Sequence, residues 1–220
     1  MSFDAAKYLA GATSRAKSDV ANKLVSMYLH ELSRRLATQL NVLVNDPAYT
    51  KAVGEMFGGS CAYCGRTLEL DRVAVEHLDG MNRYRVGLHI AGNVVVSCKR
   101  CNSEKRRDDS LKQLVLAGSG WESFLAHDGK RCPAGCKTCE YWKTVWPDDA
   151  ERLLKLPAVC NRIREFRARF PQAAAVCVLA KRDLSESLGL LYRECQEFAT
   201  DKIATAVGEA LGRILSDLKT

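Results

Sequence analysis

Two close cysteine pairs constrain this chain more than any other feature: Cys61-Ala-Tyr-Cys64 and Cys98-Lys-Arg-Cys101, together C-x2-C-x33-C-x2-C. Two such knuckles can present four thiolates tetrahedrally to Zn²⁺, which bonds sulfur at about 2.3 Å and closes a structural site with no open position. The plainer alternative is four reduced cysteines in an apolar core. Against it, CAYCGR has little hydrophobic context and carries a glycine after its second cysteine, as a turning knuckle does. Bound metal would pin the strand leading to His77 against the helix beginning near Cys98. Loss of any one thiolate should then unfold that part of the chain.

The chain begins MSFDAAKYLAGATSRAKSDV, without an apolar core behind a basic end, and no apolar run approaches the roughly 18 to 20 residues of a bilayer span. The expectation is a cytoplasmic protein that does not engage a membrane. In a reducing compartment ten cysteines are unsuited to disulfides, and seven of them (61, 64, 98, 101, 132, 136 and 139) fall in close clusters, so metal is the better reading. A net charge of +7 and a pI near 8.9 suit a polyanionic partner, with nucleic acid favoured. At 220 residues and 47% hydrophobic, the chain can bury a real core.

Periodicity predicts helix from residue 4 to about 45, with Leu24, Tyr28, Leu32, Leu36 and Leu40 at four-residue spacing and Met27, Leu29 and Leu43 beside them as the buried face. Asn45 to Tyr49 reads as a turn into a short helix, and Gly58-Gly59-Ser60 as the first linker. The texture then changes. LELDRVAVEH alternates like a strand ending at His77, DGMNRYRVG is loop-rich, and NVVVSC is a short strand running into the polar helix CKRCNSEKRRDD. After Gly118-Ser119-Gly120, residues 121–142 read as a loop-rich segment carrying three more cysteines. Helix returns from Asp148, stops at Pro171, and a last helical pattern spans about Asp183 to Leu218, with Leu188, Leu191, Cys195, Phe198, Ile203, Val207, Leu211 and Leu215 on one face. No internal repeat is present.

Between the cysteine pairs, CAYCGR…VEHLDGMNR…GLHIAGNVVVSCKRCNSEKR resembles the HNH nuclease family over roughly 50 of the 220 residues, Cys61 to Asp109. The resemblance implies a ββα-metal fold with an acidic-His pair on the first strand, an Asn before the second strand and a Cys-x-x-Cys-Asn-x-x-Lys helix. Those positions fall on Glu76, His77, Asn93 and Asn102. The chain has Glu76 where the family most often has Asp, and it lacks the proline common shortly after the histidine. The longer Glu side chain shifts the geometry of a metal ligand, but neither departure removes a reacting group.

The chemistry follows independently. Phosphodiester hydrolysis needs an activated water, a cation against the charge building on phosphorus, and stabilisation of the leaving 3′-oxygen. His77, if neutral, can take the proton. By strand alternation Glu76 points away from His77 unless the chain bends, as the resemblance implies, and its carboxylate with the Asn102 side-chain oxygen would then bind Mg²⁺ or Mn²⁺. The resemblance makes Asn93 a brace for the backbone carrying the histidine. Lys105 and Arg106, further along the same helix, would contact phosphate. His89 in GLHIAGN recurs in the family, as a turn residue or a phosphate contact. Singly, a Glu-His pair is a surface dipeptide, Asn102 a helix cap and Lys105 to Arg107 a solvated face; in this order inside a Cys₄ frame they read as a site.

A second cluster, Cys132-x3-Cys136-x2-Cys139, supplies three thiolates, with His127 or Cys160 as a fourth zinc ligand; unligated cysteines are the alternative. Arg162, Arg164, Arg167 and Arg169 lie on one predicted helix in the most basic stretch of the chain, 155–182, where seven Lys/Arg face a single acid, Glu165. That helix is either a phosphate-binding face or a solvated amphipathic one. The long helical faces at both ends either pack on each other or form a homodimer interface.

The sequence therefore predicts an α+β chain: a helical region at 1–58, a zinc-bound ββα-metal module at 59–113, and a Cys-containing loop region followed by helices at 114–220. The expected function is a one-metal HNH endonuclease acting on DNA, of restriction or other host-defence type. A junction-specific nuclease and a non-catalytic zinc-ribbon binding protein are the alternatives.

Overall fold

The first helix, α1 (Ala5–Leu40), ends where Asn41 takes a left-handed φ of 53° and Val42 N–H turns back to the Ala37 carbonyl at 3.0 Å, a Schellman closure. The computed structural model describes residues 5–69, 73–108, 120–198, 201–202 and 205–218, with side chains from residue 18. Residues 70–72 of the expected first strand, the expected module boundary at 113, the Gly118-Ser119 turn and Ile203 lie outside them.

Helix α2 (Pro47–Phe57) starts on an Asp46 cap, whose carboxylate accepts from Ala48 N–H at 2.8 Å, with Pro47 in the first turn and Gly58 in the left-handed region at its end. Two strands follow, β1 (Val73–His77) and β2 (Val94–Cys98), paired antiparallel with His77 opposite Val94 and Val73 opposite Cys98. Helix α3 (Lys99–Asp108) follows β2 directly. Then come α4 (Gly120–Leu125), α5 (Lys137–Val145), α6 (Asp149–Ala168), α7 (Pro171–Phe198) and α8 (Thr205–Asp217). Mostly helical with one small antiparallel sheet, the described chain is of α+β class. None of its helices is long and apolar enough to cross a membrane.

The α1 face is not the one expected. Leu24, Tyr28, Met27 and Leu43 are exposed and Leu32, Leu36 and Leu40 only partly buried, whereas Ala21, Val25, Leu29, Ser33 and Ala37 are buried. Both stripes repeat every fourth residue. α1 packs along α7, which buries Ala173, Cys177 and Ala180, and small side chains on both partners let the backbones approach closely.

Two further expectations are corrected. Residues 121–142 contain α4 and α5 rather than loop alone, because burial overrides weak local preference: five of the six α4 residues are buried. Trp142 Nε1 donates to the Phe124 carbonyl at 2.9 Å, and Trp142 stacks on Trp146 with centroids 5.2 Å apart. The last helical pattern starts at Pro171, not Asp183, since proline suits a first turn, and it divides into α7 and α8. α8 buries none of its residues, so Val207, Leu211 and Leu215 face outward.

The loop from Leu78 to Asn93 sets the site and is clamped from several sides. A Cβ on Gly87 would lie 1.6 Å from the Asp79 carbonyl oxygen, and one on Gly92, at φ +84°, would lie 2.6 Å from Phe170 Cβ; only glycine fits either place. His89 N–H donates to Ser33 Oγ of α1 at 2.8 Å, Ala91 N–H to the Val42 carbonyl at 2.8 Å, and the Arg83 guanidinium sits 3.7 Å over the Tyr192 ring of α7. The helical regions and the sheet thus share one continuous core.

Candidate functional site

A turn ahead of β1, the end of β2 and the start of α3 assemble the first sulfur cluster. Cys61 and Cys64 lie on a turn closed by Cys61 N–H to the Arg66 carbonyl at 2.8 Å and Gly65 N–H to the Cys61 carbonyl at 3.0 Å. This turn hangs on β2, since Ala62 N–H donates to the Val96 carbonyl at 3.0 Å. Cys98 ends β2 and Cys101 sits in the first turn of α3.

The four sulfurs all lie within 4.8 Å of one another, Cys64 and Cys98 at 3.9 Å. A tetrahedron with 2.3 Å bonds would space them at about 3.8 Å. The surrounding thiols push Cys101 strongly up and Cys98 strongly down, so the four cannot ionise together without a cation. Cys101 N–H points at Cys98 Sγ at 3.4 Å. The donor set and spacing fit a metal such as zinc.

The second cluster gathers His127, Cys132, Cys136 and Cys139, again with ligand atoms within 4.8 Å of one another. His127 Nδ1 stands 3.3 Å from both Cys132 and Cys136 sulfurs. Burial first, then the neighbouring sulfurs, pushes Cys139 up to about 12. Cys160 is not in the group; it lines a separate cavity with Leu156 and Pro157, so the histidine rather than this cysteine is the fourth donor. This set too fits zinc.

Beside the first cluster, Glu76, His77, Asn102, Lys105 and Arg106 line one cavity of about 570 Å³. Glu76 and His77 both reach it although they are adjacent on β1, Glu76 from a buried position and His77 from the strand's last residue. Lys105 is wholly buried. Its ammonium pairs with Glu76 Oε1 at 2.9 Å and donates to the His77 carbonyl at 2.9 Å, so it braces the end of β1 rather than projecting as a phosphate contact. Arg106 is exposed on the cavity rim.

Asn93 is wholly buried. Its Oδ1 accepts from Asp79 N–H at 2.8 Å, and its Nδ2 donates to the carbonyls of Asp79 at 3.1 Å and Leu88 at 2.8 Å. It thereby ties the residues after His77 to the far end of the loop. His77 Nε2 and His89 Nδ1 are 2.8 Å apart, and the His30 ring of α1 lies 6.3 Å from His77 and 5.4 Å from His89. Burial first, then His89, Lys105 and His30, pushes the His77 imidazole down to about 3, and His89 is lowered by burial and by His30. Both rings are neutral at physiological pH.

Sequence reasoning missed the contribution of α1. Asp19, Lys23, Ser26 and His30 occupy one helical face and form the opposite wall of the cavity. The signal was present as a polar stripe at three- and four-residue spacing, but α1 was read only for its apolar positions. Of the four histidines of the chain, His30 and His77 line the cavity, His89 lies against both of their rings, and His127 belongs to the second cluster.

The arginines of α6 do not converge on His77. Arg167 pairs with Asp79 at 2.7 Å and Arg164 with Glu122 at 3.4 Å, so both already have acidic partners; Arg162 is half-buried, and Arg169 is exposed. Arg164 and Arg167 line a different cavity with Trp121. No protein-family model, no curated protein and no solved structure matches this chain.

Proposed function

We propose that the protein is a divalent-metal-dependent DNA endonuclease of the HNH type. The observation that carries this reading is a neutral His77 facing one cavity together with two oxygen donors, Glu76 and Asn102, on elements fixed by a four-sulfur frame. The neutral imidazole accepts a proton from water as the water oxygen attacks phosphorus. The bond to the 3′-oxygen breaks, and that oxygen takes its proton from solvent. Because His77 and His89 share a 2.8 Å contact, a proton taken by either ring is shared with the other.

Lys105 holds the His77 carbonyl and Asn93 the Asp79 backbone two residues on, so the direction of the imidazole is set before substrate arrives. Glu76 and Asn102 would hold Mg²⁺ or Mn²⁺, a pairing that suits a hard cation taking one or two protein oxygens. The ion would supply charge against that developing on phosphorus and the leaving oxygen. The Cys61, Cys64, Cys98 and Cys101 site, a complete set of four thiolates, has a structural role. Lys23 and Arg106 give the cavity positive charge toward phosphate. The biological role proposed is restriction or other host defence, with a homodimer through the outward apolar face of α8 supplying two sites for two strands.

One observation favours a second reading. Glu76 is buried and already neutralised by Lys105, as befits a structural ion pair in a non-catalytic nucleic-acid-binding protein. Supercoiled plasmid with Mg²⁺ or Mn²⁺, compared with His77→Ala and with EDTA, decides between them. Metal-dependent cleavage lost in a folded variant supports the nuclease; equal cleavage by wild type and His77→Ala overturns the mechanism, and DNA binding without cleavage selects the second reading.

A further inference from the structure

Helix α3 reaches both sulfur clusters. Its buried residues, Cys101, Lys105 and Asp108, are spaced by four and three positions and so share one face. Cys101 belongs to the first cluster. Asp108, at the other end, has its Oδ1 2.8 Å from His127 Nε2, while its Oδ2 accepts from Ser123 Oγ at 3.1 Å. The opposite nitrogen of the same imidazole faces the second cluster's sulfurs. The order carboxylate, imidazole, thiolate group is the one by which proteins fix the tautomer and direction of a metal-binding histidine.

A second tie runs the other way. α5 carries Cys139 of the second cluster and, two residues later, Tyr141, whose Oη lies 2.8 Å from Cys101 Sγ. At that distance the phenol hydroxyl is placed to donate to the sulfur. Each cluster is therefore steadied by a side chain from an element that also serves the other.

We propose that the two clusters bind metal as one coupled pair, Asp108 and Tyr141 acting as the positioning residues that transmit occupancy between them. The physical cause lies in α3 itself. At ten residues it is too short to hold its shape alone, and its composition is polar, so its geometry depends on what fixes its ends. Cys98 and Cys101 fix the first turn, and the Asp108 to His127 contact fixes the last. An empty second site frees His127, loosens the last turn and weakens the grip on the first ion; an empty first site frees α5 through Tyr141 and does the reverse. The inference rests on the two donor sets and their hydrogen bonds, not on the proposed nuclease reaction.

The test uses the full chain loaded with zinc, counted by native mass spectrometry and stripped by a chelator, and a parallel cadmium-loaded sample whose cadmium NMR assigns which site loses its ion. Wild type is expected to hold two ions. Asp108→Asn is expected to weaken retention at the second site by about 10- to 100-fold, the range for partners of a ligating histidine, and to speed loss from the first site as well. Tyr141→Phe removes a single hydroxyl from a side chain otherwise retained, so it serves even if Asp108→Asn fails to fold; it should speed loss from both sites. One ion in wild type, or a variant that releases ion faster from its own site alone, overturns the coupling.

Discussion

The two sulfur clusters have the same size and opposite settings. The first is carried by a turn hung on β2, the end of that strand and the first turn of α3, and Cys61 and Cys101 are wholly buried. The second draws three of its donors from residues 127–136 between α4 and α5, and Cys132 and Cys136 are only half-buried. A donor set on regular structure inherits its geometry from backbone hydrogen bonds. One on a loop needs side chains such as Asp108 to supply it. The first cluster should therefore govern whether the chain folds, and the second how firmly a folded chain is held.

The sharpest way to break that contrast is Cys98→Ser. It should lose the first metal and with it the cooperative thermal transition followed by circular dichroism, whereas Cys132→Ser should lose one ion and keep a cooperative, lower-temperature melt. If both lose the transition, the clusters do not differ as described. Next in size is His77→Ala, which should leave metal content and the cooperative fold in place while, on the proposed nuclease reading, plasmid cleavage falls by about 10²- to 10⁴-fold, the usual contribution of a positioned base. Lys105→Met should cost about 3–5 kcal/mol in denaturant unfolding, because it breaks a buried ion pair by removing the ammonium from beside the Glu76 carboxylate.

A smaller effect concerns pH. The folded-state value of His77 lies near 3, below its unfolded value of about 6.5, so folding disfavours the proton. Its share of stability is fully present above pH of about 6.5 and is lost as pH falls toward 3. His77→Gln should flatten that part of the stability profile measured by urea titration, and a profile identical to wild type would show that the ring is not desolvated. The smallest expected effect is that of Cys160→Ser, which should change neither metal count nor metal retention.

What the sequence made legible was local in range. The Cys61/Cys64 and Cys98/Cys101 spacing, the strand ending at His77 and the helix opening at Lys99 depend on neighbours a few residues away, and each is where the pattern placed it. Between His127 and Cys160 the sequence left the fourth donor open, and the folded chain brings His127 to the three cysteines. What failed depended on distant partners. The α1 pattern offered two stripes, and α7 selected the one with small side chains, which one sequence cannot show. Lys105 sits in a run of charges and looks solvated until Glu76, far back in the chain, is placed beside it; Arg167 looks free until Asp79 is. The wall supplied by His30 was hidden for the same reason.

The direct passage from β2 into α3 also limits how a chain of this kind can vary in length. With no residue between Cys98 and Lys99, strand and helix keep a fixed phase. One residue inserted there would rotate everything beyond it by about 100°, at 3.6 residues per turn. Asn102 would leave the cavity, Lys105 would leave Glu76 and Asp108 would leave His127 in the same step. An insertion between His127 and Cys132 turns no helix out of phase and leaves the Cys132-x3-Cys136-x2-Cys139 spacing intact, so length drift among descendants of this sequence should collect there rather than at the strand-to-helix joint.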